Sequence, residues 1–434
     1  MPDRRFLSKE EHTKYLKKYD IHPGRAMFTI ILSIIVDVFG YSMVLPLLPS
    51  IAKTFGASDL FVGIIISSNA LSALIFAPIW GKLSDKYGRK PLLIIAQAGT
   101  GVSFLILALS NSIGIILFAR ILDGVFGGQI PVIRAYISDI TTPKTRSSEI
   151  GKLMVGHTMG MIFGPIIGGL LGDLNWRYPA ILASSLSIIA ILLTWKVLIE
   201  SMPKERREDL KVHLVNITSI SNDKRSIWSK EIYIRFIQIF LLFSITVMLN
   251  SSFPLILDKR FAADPSIIGS VMTVAGIAVM IYGGLLMKPL FRKVGEKRVL
   301  FFSIILLIVD FIFLPYITEL WMIYIFIFPF TFCMAFLPPL IQTNITKAVD
   351  SDQQGAISGW TTNIQSISQI SSPLLATGYL ELGGLTFGLI YLNSYHLIGF
   401  TGALLGVFLL IIGLIDVQRH PYLYSHESQE DTIN

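Results

Sequence analysis

Apolar positions in this chain do not alternate with polar ones but run on in blocks. Twelve blocks of mainly apolar residues occupy 26–49, 60–80, 91–110, 113–137, 150–171 and 178–199, then 232–257, 266–287, 299–316, 320–343, 355–380 and 396–416. About 20 such residues carry an α-helix across a bilayer. A lone strand in lipid leaves its backbone groups unpaired, so each block predicts a helix. The expected fold class is therefore all-α integral membrane, with twelve transmembrane helices.

Between the sixth and seventh blocks the pattern breaks. Met202-Pro203 leads into the mixed charges Lys204, Glu205, Arg206, Arg207, Glu208, Asp209 and Lys211. The expected organisation is a cytoplasmic tail 1–25, a six-helix bundle 26–199, a linker 200–231, a second bundle 232–416 and a cytoplasmic tail 417–434. The bundles read as copies. Pro46 and Pro254 are 208 positions apart, as are Pro131 and Pro339, Gly151 and Gly359, and Pro165 and Pro373. A parallel six-plus-six repeat is one established transporter architecture, with its substrate site near the bilayer midplane.

Composition agrees. Of 434 residues 53% are hydrophobic and 15% charged, against about 25% charged in soluble domains. This excludes a disordered chain, a coiled coil and a disulfide scaffold. Cys333 is the single cysteine, so no intramolecular disulfide or thiolate metal cluster is available. No Gly-x-x-x-x-Gly-Lys-Ser/Thr loop and no His-Glu-x-x-His occurs, which removes local support for an ATP-driven pump or a zinc protease. The net charge of +7 is explained by topology. Lys and Arg crowd the N-terminal tail, the loops after even-numbered spans and the central segment, where Arg235 is counted as a flank; the opposite loops hold Lys53, Arg177, Lys259 and Arg260. Positive charge stays inside, which predicts a multi-pass protein of the cell membrane with both termini cytoplasmic and no nucleic-acid partner.

After the second block stands Gly81-Lys82-Leu83-Ser84-Asp85-Lys86-Tyr87-Gly88-Arg89-Lys90-Pro91. It resembles the signature loop of the major facilitator superfamily. The resemblance implies a cytoplasmic latch formed by Gly81, Asp85, Gly88 and Arg89, with Asp85 near Gly355, and a charge relay through Asp139 and Arg146. The second copy keeps Gly295 but has Arg292 where Asp85 would stand. The fifth block carries Gly151, Gly160, Gly164-Pro165 and Gly168-Gly169. Their spacing resembles the antiporter motif of drug/proton exchangers. Gly160, Gly164 and Gly168, four apart, form a smooth stripe for close helix approach. With the first block, Asp37 to Pro49, these motifs resemble the tetracycline/proton antiporter branch, although Ser103 stands where that branch carries an acid.

Ionisable residues deep in the blocks are Asp37, Arg120, Asp123, Arg134, His157 and Asp310. Each costs roughly 2.5–3.5 kcal/mol at the bilayer centre on insertion scales. Asp37 and Arg120 are expected to lie close together and, with Asp123 and Asp310, to carry proton coupling. Tyr41, Met43, Asn250, Phe328, Gln365 and Gln369 are expected to line the substrate cavity beside Asp37 and Arg120. The expected function is proton-coupled efflux of amphipathic small molecules or drugs by alternating access. The protein is expected to act as a monomer with no metal or cofactor, on the proton gradient alone. The alternative is a symporter or uniporter for sugars or organic anions.

Overall fold

The computed structural model describes residues 9–207, 230–349, 353–388 and 390–420. Most of the expected linker, 208–229, and of the C-terminal tail, 421–434, lies outside them. Among the described residues eleven helical segments are long and apolar enough to cross a membrane. They are Pro23–Thr54, Asp59–Tyr87, Arg89–Ala108, Ile113–Ile140, Ser148–Leu174, Arg177–Val197, Ile232–Phe261, Pro265–Val294, Glu296–Tyr316, Leu320–Lys347 and Ser394–Arg419. A further helix, Gln354–Leu382, has 29 residues but is diluted by Thr361, Asn363, Gln365 and Gln369. It takes the place of the eleventh expected block, and the spans are numbered one to twelve on that basis. Large apolar side chains along the helices point outward, among them Leu109, Leu174 and Leu285 at 69–75% exposure. Water would penalise these positions, whereas lipid accepts them.

Two elements depart from the sequence expectation. Lys9–Lys18 in the N-terminal tail is helical. Two short strands, Gly384–Phe387 and Ile390–Asn393, pair antiparallel between spans eleven and twelve. Gly383 and Gly388 adopt φ +69° and +61°, which end the helix and turn the hairpin.

The chain forms two compact units. The first comprises Met1–Phe55 and Ser68–Lys224. In it span one packs on spans five and six, and span three on span six. Met43, Leu48, Val132, Tyr136 and Ile137 are buried in its core. The second comprises Gly56–Ser67 and Arg225–Asn434, so the first turns of span two belong to it. Glu381 accepts from the Asp59 and Leu60 N–H groups, Lys259 pairs with Asp59, and Ser67 donates to the Ile370 carbonyl.

The core of the second unit is aromatic, with Phe326 and Phe330 stacked at 6.0 Å and Phe311 against Phe330. It also holds an ion pair the sequence reading did not find. Arg235, counted there as a cytoplasmic flank, is wholly buried, and its Nη2 lies 3.1 Å from Asp416 Oδ1. His420 Nδ1 is 2.9 Å from the same oxygen. Apolar averaging over each block hid this pair, because its members stand 181 residues apart near block ends.

Candidate functional site

The cytoplasmic loop shows why its residue types recur at that spacing. Gly88 has φ +106°, a conformation that strains any side chain, and a Cβ there would lie 2.5 Å from Glu200 Oε2. Glu200 accepts from the Arg89 and Lys90 N–H groups at 2.9 and 3.1 Å, which places a carboxylate on the N-terminus of span three. Gly295, with φ +89°, repeats the turn before span nine. Arg89 is buried between two acids. Its Nη1 is 2.6 Å from Asp85 Oδ1 and its Nε 3.2 Å from Asp139 Oδ2. Asp139 also accepts from Ser201 Oγ at 3.0 Å, and Arg146 donates to the Ser138 carbonyl. The N-terminal helix docks on the segment carrying Ser201. Tyr15 donates to the Ser201 carbonyl, and Lys18 and Tyr19 both bond Glu205. Burial holds the Tyr15 hydroxyl above its usual range. Tyr19 first and then Lys18 hold the Glu205 carboxyl below its own.

The glycine motif forms a seam with span one. A Cβ on Gly160 would lie 2.9 Å from the Phe39 nitrogen, one on Gly164 would strike Ser42 Oγ, and one on Gly168 would strike the Met43 carbonyl. Gly156, one turn earlier, extends the stripe against Ile31 and Ile35. Ser42 Oγ donates to the Gly160 carbonyl at 2.8 Å. Pro165 and Gly169 are buried in the same helix, whereas Gly151 is exposed and a Cβ on it would meet nothing within 4 Å.

Next to this seam, towards the start of span five, the first unit holds a cavity of about 320 Å³. Asp37, Tyr41, Asn69, Thr100, Asp123, Gln129, Arg134 and His157 supply its polar groups, and Ile34, Phe104, Ile130, Ile133 and Met154 much of its apolar wall. The two central charges pair differently from the sequence expectation. Arg120 is bound to its own-helix neighbour, with Nη1 2.7 Å from Asp123 Oδ2, and its guanidinium lies 5.6 Å from the Tyr41 ring centroid. Asn69 Nδ2 donates to Asp123 Oδ2 at 2.9 Å and to the Arg120 carbonyl at 3.2 Å. Asp37 instead accepts from Gln129 Nε2 at 2.6 Å. Residues three apart on a helix share a face, so Asp123 reaches Arg120 without help from span one.

Of the other expected cavity residues, Met43 is fully buried at the Gly168 contact. On a 3.6-residue turn, Tyr41 lies above Asp37 and Met43 points well away. Asn250, Phe328, Gln365 and Gln369 belong to the second unit and are not among the lining residues. Phe328, Asn250 and Gln369 are exposed and Gln365 half-buried. Asp310 is 4% exposed, and its Oδ2 has no hydrogen-bond partner among the described residues. Sequence reading passed over Asn69, Trp80, Gln129 and Glu200. Gln129 carried a signal, because Gly127-Gly128 before it and Pro131 after it mark a helix break inside span four.

The sequence profile of the Major Facilitator Superfamily matches residues 30–373 and, in a second register, 235–422. Multidrug resistance protein 2 of Bacillus subtilis (strain 168) is 31% identical over 405 residues, covering 92% of this chain and 96% of that protein. The class H tetracycline resistance protein of Pasteurella multocida is 28% identical over 360 residues, covering 81% and 88%. A solved peptide transporter in complex with alafosfalin superposes with TM-score 0.71 over 96% of this chain and 99% of that one, at 14% identity. At that identity the likeness concerns the fold. With the profile match spanning most of the sequence and one relative above 30% identity along nearly all of it, the chain belongs to the major facilitator superfamily, a family of membrane transporters.

Proposed function

We infer that this transporter exports amphipathic small molecules in exchange for protons. The observation that carries the reading is the half-buried Asp37 carboxylate opening on an apolar cavity, on the helix that the span-five glycines grip. A carboxylate in such a site can hold a proton or release it to make room for a substrate's positive charge. The tight seam beside it restricts leak when neither event is coupled to the other. The relatives named for multidrug and tetracycline resistance agree with export of bulky amphipathic compounds. The proton gradient is the energy source, no cofactor is required, both termini face the cytoplasm and the monomer is the working unit. Asp123 is held by Arg120 and Asn69 and serves as a fixed counter-charge; the buried Asp310 is the coupling candidate of the second unit.

The test uses inside-out vesicles with an acid lumen and ethidium as the probe. Ethidium addition should raise lumenal pH as protons leave in exchange. Asp37→Asn should abolish ethidium accumulation driven by the pH gradient while leaving the folded yield near wild type, since an amide still pairs with Gln129. Gradient-driven accumulation retained in Asp37→Asn would refute Asp37 as the coupling group. Ethidium movement with no proton movement in the wild type would establish a uniporter.

A further inference from the structure

We propose that Gln129 is the positioning residue that keeps Asp37 hydrogen-bonded in both its ionised and its protonated form. The inference rests on the reading of Asp37 as the proton-exchanging carboxyl. Arg120, the cation expected beside Asp37, is already committed, because it is bound to Asp123 and lies by Tyr41. The direct partner of Asp37 is instead a neutral amide, itself only 3% exposed. An amide carries both a donor and an acceptor. Toward the carboxylate Nε2 donates, as seen at 2.6 Å. Toward the carboxylic acid the amide turns and Oε1 accepts the acid O–H. An arginine in that place would favour the ionised form alone, and an apolar side chain would leave that form without its donor. Gln129 therefore holds the Asp37 side chain in one orientation while the proton comes and goes.

The fold is built to deliver this amide. Span four is interrupted between Phe126 and Gln129. Pro131 lacks an N–H and cannot close the usual bond to Gly127. The carbonyl of Val125, which an unbroken helix would pair with the Gln129 N–H, is taken at 2.5 Å by Trp80 Nε1 of span two. Gly128 makes this approach possible, since a Cβ there would lie 2.8 Å from Trp80 Cδ1 and 3.1 Å from Ala77 Cα. The restarted helix opens on Gln129, directed at span one. Trp80 immediately precedes Gly81, so the break that orients Gln129 is pinned by the same helix that carries the signature loop.

The charged and titratable groups around Asp37 are Asp123 and Arg120 of span four, Arg134 beyond the break, His157 of span five and Tyr41 of its own helix. Span three contributes the uncharged Thr100 and Phe104. Span six meets span one at Ala183. None of these groups changes in the variants that test the proposal.

The test is an infrared titration of the full-length protein in liposomes, without substrate, following the carboxylic acid band that disappears in Asp37→Asn. Gln129→Met, nearly equal in length, should shift the midpoint of this band upward by about one pH unit or more, the loss of one charge-assisted hydrogen bond. Gln129→Arg should shift it downward. A merely structural Gln129 would lower thermal stability in either variant and move neither midpoint. Midpoints unmoved in both folded variants would overturn the proposal and leave Asp37 as the coupling group. If one variant fails to fold, the other decides by the direction of its shift, and failure of both with no measurable midpoint would overturn the proposal in favour of a purely structural role. The absence of any band lost in Asp37→Asn would instead overturn the reading on which the proposal rests.

Discussion

Alanine scanning of the span-five glycines should yield a ladder set by what each new Cβ meets. Gly151 faces open space, so Gly151→Ala removes only the conformational cost of glycine in a helix and should stabilise by about 0.5–1 kcal/mol. At Gly164 the new methyl meets Ser42 Oγ, a rotatable hydroxyl, and the Phe39 carbonyl at 2.9 Å. Turning Ser42 away forfeits its bond to the Gly160 carbonyl, worth about 0.5–1.5 kcal/mol. With the backbone displacement, Gly164→Ala should cost about 1–3 kcal/mol, the usual range for over-packing. At Gly168 the methyl meets only backbone, the Met43 carbonyl and, at 2.8 Å, Met43 Cα. No rotamer relieves that contact, so Gly168→Ala should reach the top of the range, about 3 kcal/mol. Thermal unfolding of the purified variants in one detergent should rank Gly151→Ala at or above wild type, then Gly164→Ala, then Gly168→Ala. A Gly168→Ala variant as stable as Gly151→Ala would refute the close-packed seam. The same series tests sealing. Substrate-free proton leak in vesicles, normalised to folded protein, should rise from wild type through Gly164→Ala to Gly164→Leu. A leak flat across that series would limit the motif to packing and favour the uniporter.

The cytoplasmic relay should respond unequally to loss of its two acids. Asp139→Asn leaves buried Arg89 short of its charge partner there, at a cost of about 3–5 kcal/mol. Asp85→Asn removes a partner whose side chain is 65% exposed and should cost at most about 1 kcal/mol while slowing ethidium transport; equal melting losses would contradict this assignment. In the second unit, Arg235→Met takes the guanidinium from the buried Asp416 carboxylate and should cost about 3–5 kcal/mol, whereas Arg235→Met with Asp416→Leu should recover most of it, since replacing a buried pair by apolar groups is often neutral; unfolding of the three proteins checks this. At the N-terminus, the depressed Glu205 carboxyl gives a contribution present above the ordinary glutamate value of about 4.3 and lost as pH falls through its lower folded value. Limited proteolysis of the Lys9–Lys18 helix should accelerate over that fall in pH and not in Glu205→Gln, where the clasp is already weakened at neutral pH.

The apolar spans and the family motifs were legible in the sequence, because each is a local property. A bilayer demands a minimum apolar length whatever the neighbours are, and a glycine at a positive φ or on a close seam is costly to replace. The glycines at 88, 160, 164 and 168 therefore advertised themselves before any contact was known. The partners of the charged groups were not legible. Asp37 and Arg120 face the same general region by helix position, but the interruption of span four brings Gln129 to Asp37, while Arg120 keeps to Asp123, three residues on along its own helix. Arg235 counted as one more basic flank until span twelve brought Asp416 against it. Glu200 was only the first position of the linker until the fold set it on the first turn of span three. Hydropathy is a one-body quantity that a sequence carries residue by residue. A hydrogen-bond partner is a two-body quantity, set by packing distances of a few tenths of an ångström between residues far apart in the chain, and it exists only once the helices have docked.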